Sequence, residues 1–167
     1  RASLRAQLKQ AHEFSARSRN WRIARTPQEG MALHRQGKGV LVLALEGAAG
    51  ILDTEEDLVE FVDVGGIRIV TFLHLTDDHL GGAAFMRGIK GMLTPLAWLT
   101  QLFHPLKEDG VMVNRNGLTE EGLASAKRLM AHKVWLDLAH ASDEAQRKLI
   151  PLLTESDRPL LYTHTFM

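Results

Sequence analysis

Four ionisable residues each close a short apolar run of the chain. The four residues are Glu46, His74, His140 and His164, and the runs before them are typical of buried β-strands. Because the carboxyl ends of parallel strands meet at one face of a barrel or sheet, we expect these side chains to converge. One carboxylate and two or three imidazoles, in a chain without cysteine, form a plausible ligand set for zinc or a similar metal. The sequence therefore predicts a metal site at the carboxyl ends of these strands.

The prediction of a metal site depends most on Glu46. A histidine at a strand end is often only a surface residue, whereas a carboxylate closing the run VLVLALE must find a partner, because an unpaired buried carboxylate costs several kcal/mol. Strand alternation places His140 on the same face as Leu138 and places Asp137 on the opposite face. We therefore interpret Asp137 as a structural hydrogen-bonding residue. The remaining histidines are expected in solvated helical positions or stay unassigned: His12, His34, His132, His79 and His104.

Strands and helices alternate along most of the chain, which predicts a parallel α/β sheet with right-handed crossovers. We expect strands at Trp21–Arg25, Val40–Glu46, Ile67–His74, Val134–His140 and Pro159–His164. Helices are expected over Arg1–Ala16, Glu55–Val64 and Asp143–Leu153, from Thr26 to Gly37, and from Thr119 onwards, with Thr26, Thr54, Thr119 and Ser142 as N-caps. In Thr26-Pro27-Gln28-Glu29, Glu29 should complete a capping box. Residues 75–116 fit neither pattern and are interpreted as an insertion or lid.

Bulk composition limits the function classes. The 167 residues fit a single domain, and the balance of 20 basic and 20 acidic residues gives no indication of nucleic-acid binding. The most apolar window, Gly91–Phe103, is too short for a membrane span and contains Pro95. No signal peptide is expected in the charged start of the chain, and the lack of cysteine excludes disulfides without identifying a compartment.

Several motifs carry a resemblance to a known family. They are Leu43–Gly47, Gly66–His74, Asn116–Thr119, Leu136–Ser142 and Tyr162–His164. Together they resemble the membrane dipeptidase (renal dipeptidase) family of amidohydrolase-type metallohydrolases, in the same order and at similar separations. The resemblance extends over most of the chain except Leu75–Arg115.

The resemblance implies a TIM-like (β/α)8 barrel with a binuclear zinc site that hydrolyses dipeptides and related short amides. It implies that Glu46 bridges the two metals and that His140 and His164 bind one of them. It also implies that His74 faces the substrate and polarises or holds the scissile group. A dipeptide or other small molecule would be the partner.

The chain also departs from the family pattern. No His-x-Asp pair precedes Glu46, and the expected late aspartate would lie beyond His164, so at most one metal's ligands are present. We therefore expect a partial barrel of about five parallel strands, lacking the first strand and the last two, in a single incomplete domain over residues 1–167. Such a piece should have little or no activity alone. It should also self-associate, as a homo-oligomer or less regularly, through its exposed strand edges.

Two other functions stay open. The segment Thr76–His79 departs from the family, which leaves room for another hydrolase of the same superfamily acting on an amide, lactone or phosphoester. A non-catalytic relative that serves as a binding module is the second alternative. A Rossmann-type nucleotide binder is disfavoured, because no G-x-G-x-x-G or P-loop follows any strand.

Overall fold

The structure is a computed structural model that describes residues 1–85, 99, 106–108 and 111–164. Its strands are β1 (Trp21–Ile23), β2 (Gly39–Leu41), β3 (Leu43–Glu46), β4 (Ile67–Thr71), β5 (Leu106–Glu108), β6 (Val111–Val113) and β7 (Trp135–Asp137). Its α-helices are α1 (Ala2–Arg17), α2 (Pro27–Arg35), α3 (Glu55–Asp57), α4 (Glu120–Ala131) and α5 (Asp143–Glu155), and α3 continues into a π-helical segment, Leu58–Val64.

Parallel pairing follows the order of the chain. Strand β1 pairs with β2, and β3, β4 and β7 form a three-stranded parallel sheet. A further parallel bridge joins Asp137 to Leu161. The predicted mixture of helices with a parallel sheet is confirmed, and the closure of such strands into part of a TIM-like barrel remains a prediction. An antiparallel hairpin of β5 and β6 lies within the region that sequence patterns left unassigned.

Helix starts agree with the sequence because a capping hydroxyl acts locally. In each case a side-chain oxygen accepts a hydrogen bond from a backbone N–H three residues later, at Thr26, Thr54, Thr119 and Ser142. The Glu29 carboxylate accepts from the backbone N–H of Arg25 and not from that of Thr26, so the predicted capping box is displaced by one residue. Gly37 follows α2 with φ +71°, as expected for a helix-terminating glycine.

The core lies between the helices and one face of the parallel sheet. Its largest fully buried side chains come from the π-helical segment, from β4 and β7 and the residues that follow them, and from α4 and α5: Phe61, Phe72, Ile67, Leu136, Leu138, Leu129 and Leu149. This packing holds the sheet in place, and the loops that carry the candidate site residues begin at the carboxyl ends of its strands. The predicted helix over Glu55–Val64 is mostly π-helical, a departure that the apolar pattern alone does not reveal.

The predicted strands are shorter than expected or divided. Strand pairing in Trp21–Arg25 ends at Ile23, and the predicted strand Val40–Glu46 is interrupted at Val42, so that β2 pairs with β1 and β3 pairs with β4. Strand β4 stops at Thr71, β7 stops at Asp137, and within the described part of Pro159–His164 only Leu161 makes a strand bridge. The apolar runs continue beyond the pairing because the residues after the strands, such as Phe72 and Leu138, are buried in the core. Burial, and not strand pairing, therefore explains the length of the apolar runs.

Much of the proposed lid at 75–116 lies outside the described residues, as does the apolar window Gly91–Phe103 apart from Leu99. The single-domain and lid assignments stay predictions, and so does self-association through strand edges. Among the helices of the described residues, none has the length and apolarity needed to cross a bilayer.

Candidate metal centre

Glu46 is the last residue of β3, and its backbone pairs with Thr71 of β4. Gly47 follows with φ +87°, a conformation that favours glycine, and its N–H donates to the Thr71 carbonyl at 2.9 Å. A Cβ at Gly47 would also lie 3.5 Å from the Cβ of His74. The sheet and this turn therefore hold the Glu46 carboxylate at the carboxyl end of the strands.

The three site histidines lie beyond the strands and not within them. His74 follows Thr71 by three residues, His140 follows Asp137 by three, and His164 follows Leu161 by three. His140 occupies a turn with φ +65°. The strand-alternation argument that oriented His140 with Leu138 is therefore wrong, because loop geometry aims the imidazole.

These loops nevertheless bring the four predicted side chains together. The Oε1 atom of Glu46 lies 3.3 Å from the Nε2 atom of His74 and 3.2 Å from the Nε2 atoms of both His140 and His164. The Nε2 atoms of His140 and His164 are 2.7 Å apart. The imidazole of His140 meets the other two rings edge-on, with centroids 5.3 Å from His74 and 4.7 Å from His164.

The donor set and its spacing suit a small divalent cation. Zinc binds imidazole nitrogen and carboxylate oxygen at about 2.0–2.2 Å, so tetrahedral ligands lie about 3.3 Å from one another. The two distances from Glu46 to His140 and His164 are close to this value, and the two imidazoles need to separate by about half an ångström. Within the part of the chain that the structure describes, these three residues are the one group that meets the geometric requirements for holding a metal.

His140 is the most enclosed member of the site. Its side chain is 9% exposed, compared with 37% to 47% for the other three. Burial lowers the pKa of the His140 imidazole, and the nearby His164 and His74 lower it further, against the opposing attraction of Glu46. The lowered pKa favours the neutral imidazole, which is the form that binds a metal.

Asp137 lies beneath the site and is fully buried. Its Oδ1 atom accepts from the N–H groups of Ala139 at 3.1 Å and Thr163 at 3.0 Å. Its Oδ2 atom accepts from the hydroxyls of Thr71 at 2.7 Å and Thr163 at 2.5 Å. Burial raises the pKa of Asp137, but these hydrogen bonds outweigh it and hold the pKa below its usual value. The prediction of a structural hydrogen-bonding role is confirmed.

Sequence reasoning missed the loop that supports His140. The Asp77 carboxylate accepts hydrogen bonds from the backbone N–H of Ala83 at 2.8 Å and from the side-chain amides of Asn114 and Asn116, each at 2.6 Å. The loop that Asp77 organises reaches the site, where the N–H of Ala84 donates to the His140 carbonyl at 2.6 Å. The only sequence signal was a cluster of Asp, Asn and Gly in a segment without periodicity.

Three other histidines of the described residues form contacts outside the site, whereas His34 is exposed as expected. The Nε2 atom of His12 lies 2.8 Å from the carbonyl oxygen of Gly65. His79 Nε2 lies 3.3 Å from the carboxylate of Asp53. His132 lies between Glu55 and Asp63, at 2.7 Å and 2.9 Å, and its side chain is only 16% exposed, so the expectation of a solvated His132 is wrong. His104 lies outside the described residues.

Comparison with known proteins gives a fold but no family. No protein-family profile matches the chain, and no curated protein sequence matches it. An amidohydrolase from Pseudomonas aeruginosa is similar in structure, with a TM-score of 0.63 and 15% identity over 93% of this chain and 38% of that one. A metallo peptidase from Rhodobacter sphaeroides, liganded with a phosphinate mimic of the dipeptide L-Ala-D-Ala, has a TM-score of 0.59 and 22% identity over 95% of this chain and 38% of its own. The chain therefore shares its fold with a little over a third of each of these proteins.

Proposed function

We propose that the full-length protein is a metal-dependent hydrolase of dipeptides or related short amides, with zinc as the metal. The observation that carries the proposal is the contact of one Glu46 oxygen with imidazoles from three different strand ends. The fold shared with an amidohydrolase and a metallo peptidase supports it, and the dipeptide mimic bound to the latter suggests the substrate class.

In this proposal Glu46, His140 and His164 hold the metal. A zinc ion held by these residues would supply a Lewis acid, which lowers the pKa of bound water and polarises a carbonyl oxygen. Glu46 contributes the negative charge of the ligand set, and the two imidazoles contribute neutral nitrogen donors. Because Glu46 is the only charged residue among the three proposed ligands, its replacement should weaken metal binding the most.

His74 is proposed to act on the substrate. Its side chain is 37% exposed, and its Nε2 atom lies 3.3 Å from Glu46 Oε1, so the imidazole contacts the proposed ligand cluster and is also accessible to solvent. An imidazole in this position can donate a hydrogen bond to a carbonyl that enters the site from the solvent side. We therefore assign His74 to orienting and polarising the scissile group.

The test is Glu46→Gln in the full-length protein, with Glu144→Gln as a matched control. Glu144 lies on α5 and pairs with Arg147 at 3.1 Å, outside the ligand cluster. Elemental analysis and dipeptide hydrolysis should show loss of metal and activity in the first variant and no change in the second. Unchanged metal content and hydrolysis after Glu46→Gln would contradict the proposal.

A second candidate function rests on the loop after His74. The sequence of Thr76–His79 departs from the dipeptidase pattern, and both aspartates bind within the loop. Asp77 accepts from the N–H of Ala83 at 2.8 Å and Asp78 accepts from the N–H of Leu80 at 2.7 Å. The substrate panel should therefore contain lactones and phosphoesters beside dipeptides of both stereochemistries. Turnover of only a lactone or phosphoester would favour another superfamily hydrolase, and metal binding without turnover would favour a binding module.

A further inference from the structure

We propose that Asp137 acts through Thr163 to fix the tautomer of His164, with the proton on Nδ1 and the lone pair on Nε2. Asp137 would thus be a positioning residue for the metal site, acting through a hydroxyl and not by direct contact. The importance of this role for metal binding rests on the proposed function. The hydrogen on Nδ1 does not, since the contacts of Asp137 and Thr163 place it there without a metal.

The first step is the state of Asp137. Its two oxygens are directed at four donors, two backbone N–H groups and two threonine hydroxyls, and the side chain is fully buried. Four donors match the acceptor capacity of an ionised carboxylate, which has no hydrogen to give. The lowered pKa of Asp137 agrees with this assignment.

The second step is the direction of the two hydrogen bonds of Thr163. Its Oγ1 atom lies 2.5 Å from Asp137 Oδ2 and 2.9 Å from Nδ1 of His164. A hydroxyl has one hydrogen, and the carboxylate can only accept, so Thr163 donates to Asp137. The Thr163 oxygen must then accept from His164, which places a hydrogen on Nδ1.

The third step links this tautomer to the site. A neutral imidazole protonated at Nδ1 has its lone pair on Nε2, where it can accept from an Nε2–H of His140 at 2.7 Å or bind a metal beside Glu46, whose Oε1 atom lies 3.2 Å away. Metal-binding histidines commonly donate their other N–H to a neighbouring acceptor, which fixes the ring and the tautomer. Here the acceptor is the hydroxyl oxygen of Thr163, and the buried Asp137 carboxylate orients that hydroxyl by accepting its hydrogen.

The test is Asp137→Asn in the full-length protein. The amide oxygen must face the backbone N–H groups of Ala139 and Thr163, so the amide NH2 faces the hydroxyl of Thr163. That hydroxyl then accepts from the amide and donates to His164 Nδ1, which moves the imidazole proton to Nε2. Two-bond ¹H–¹⁵N spectra of the metal-free protein at about pH 8 should show His164 as the Nδ1–H tautomer in the wild type and as Nε2–H in the variant. Metal affinity should fall about 10- to 100-fold.

Variants at two threonines keep the proposal testable if Asp137→Asn does not fold. Thr163→Ser preserves the hydroxyl and should preserve the Nδ1–H tautomer. Thr163→Val removes the hydroxyl that accepts from Nδ1, so the preference for this tautomer should be lost. Thr71→Val removes a donor from the same carboxylate without touching His164, and it should leave the tautomer unchanged. An Nε2–H tautomer in the wild type, or a Thr163→Val spectrum identical to the wild type, would overturn the proposal. Because the tautomer is measured without metal, a failure of hydrolysis would count only against the proposed function.

Discussion

Gly82→Ala should disturb the metal site from a distance. A Cβ added to Gly82 would lie 1.9 Å from the carbonyl oxygen of Asn116, where real Cβ atoms essentially never approach within 3.0 Å. The same residue donates its N–H to the Gly117 carbonyl at 3.1 Å and accepts from the N–H of Ser142 at 3.0 Å. The backbone around Gly82 therefore lies directly against two neighbouring segments and leaves no room for a side chain.

The expected cost follows from these contacts. Relieving the clash requires a backbone shift of more than 1 Å, which would break or stretch both hydrogen bonds. Each such bond contributes about 0.5–1.5 kcal/mol, and overpacking typically costs about 1–3 kcal/mol, so we expect a loss of about 2–4 kcal/mol in the free energy of unfolding. Because the N–H of Ala84 in the same loop donates to the His140 carbonyl, the shift should also move this proposed ligand and weaken metal binding.

Gly30→Ala is the matched control. A Cβ at Gly30 in α2 would make ordinary contacts with Val40 at 3.5 Å and Ala24 at 3.8 Å. This change should be neutral or stabilise the protein by up to about 1 kcal/mol. Denaturant unfolding and metal titration calorimetry measure both effects. If the free energy of unfolding of Gly82→Ala lies within about 0.5 kcal/mol of the wild-type value and the variant binds metal equally well, the loop does not support the site.

Three further outcomes are expected. If the proposed hydrolysis is correct, His74→Ala should lower the turnover of the full-length protein by about 10²–10³-fold at unchanged metal content, whereas an equal loss of metal would make His74 a ligand. Thr54→Ala removes the side chain that caps α3 and contacts Asp57, and it should lower the free energy of unfolding by about 0.5–2 kcal/mol in denaturant titrations; no loss would mean that the cap is dispensable. Burial lowers the pKa of His132, but the hydrogen bonds that its ring donates to the Glu55 and Asp63 carboxylates outweigh this effect and leave the pKa raised. These two contacts should make the wild type more stable than a His132→Gln variant. The difference in the free energy of unfolding should be fully present below about pH 6.5, the pKa of histidine in the unfolded chain, and should fade as the pH rises through the higher pKa of the folded protein. Because both carboxylates are well exposed, the difference should be about 1 kcal/mol or less, and a difference independent of pH between 5.5 and 8.5 would contradict it.

Local signals predicted the helices well. A capping hydroxyl acts within three residues of the helix start, so Thr26, Thr54, Thr119 and Ser142 could be read without knowledge of the tertiary structure. The same signals could not predict the π-helical geometry after α3. There the helix widens within the core-packed segment that contains Phe61 and Val62, and tertiary packing does not appear in an apolar pattern.

The site residues were predicted by a partly wrong route. Sequence reasoning placed Glu46 and the three histidines at strand ends, and the structure does bring these side chains together. Only Glu46 belongs to a strand, however. Each histidine lies in a loop, three residues after the last residue that makes a strand pair or bridge. Period-two alternation applies only while strand pairing continues, so it could predict convergence at one edge but not the direction of each ring.

The contacts around His140 explain why the chain needs the loop at residues 77–85. A non-glycine residue in the left-handed region costs about 1–3 kcal/mol and persists only where its surroundings hold it. Here Ala84 donates to the His140 carbonyl at 2.6 Å, Ala141 donates to the Leu138 carbonyl at 3.1 Å, and Asp137 accepts from Ala139. The turn is thus fixed from both sides of His140. Held this way, His140 keeps its ring aimed at Glu46 without a metal, which would lower the conformational cost of forming the proposed metal site.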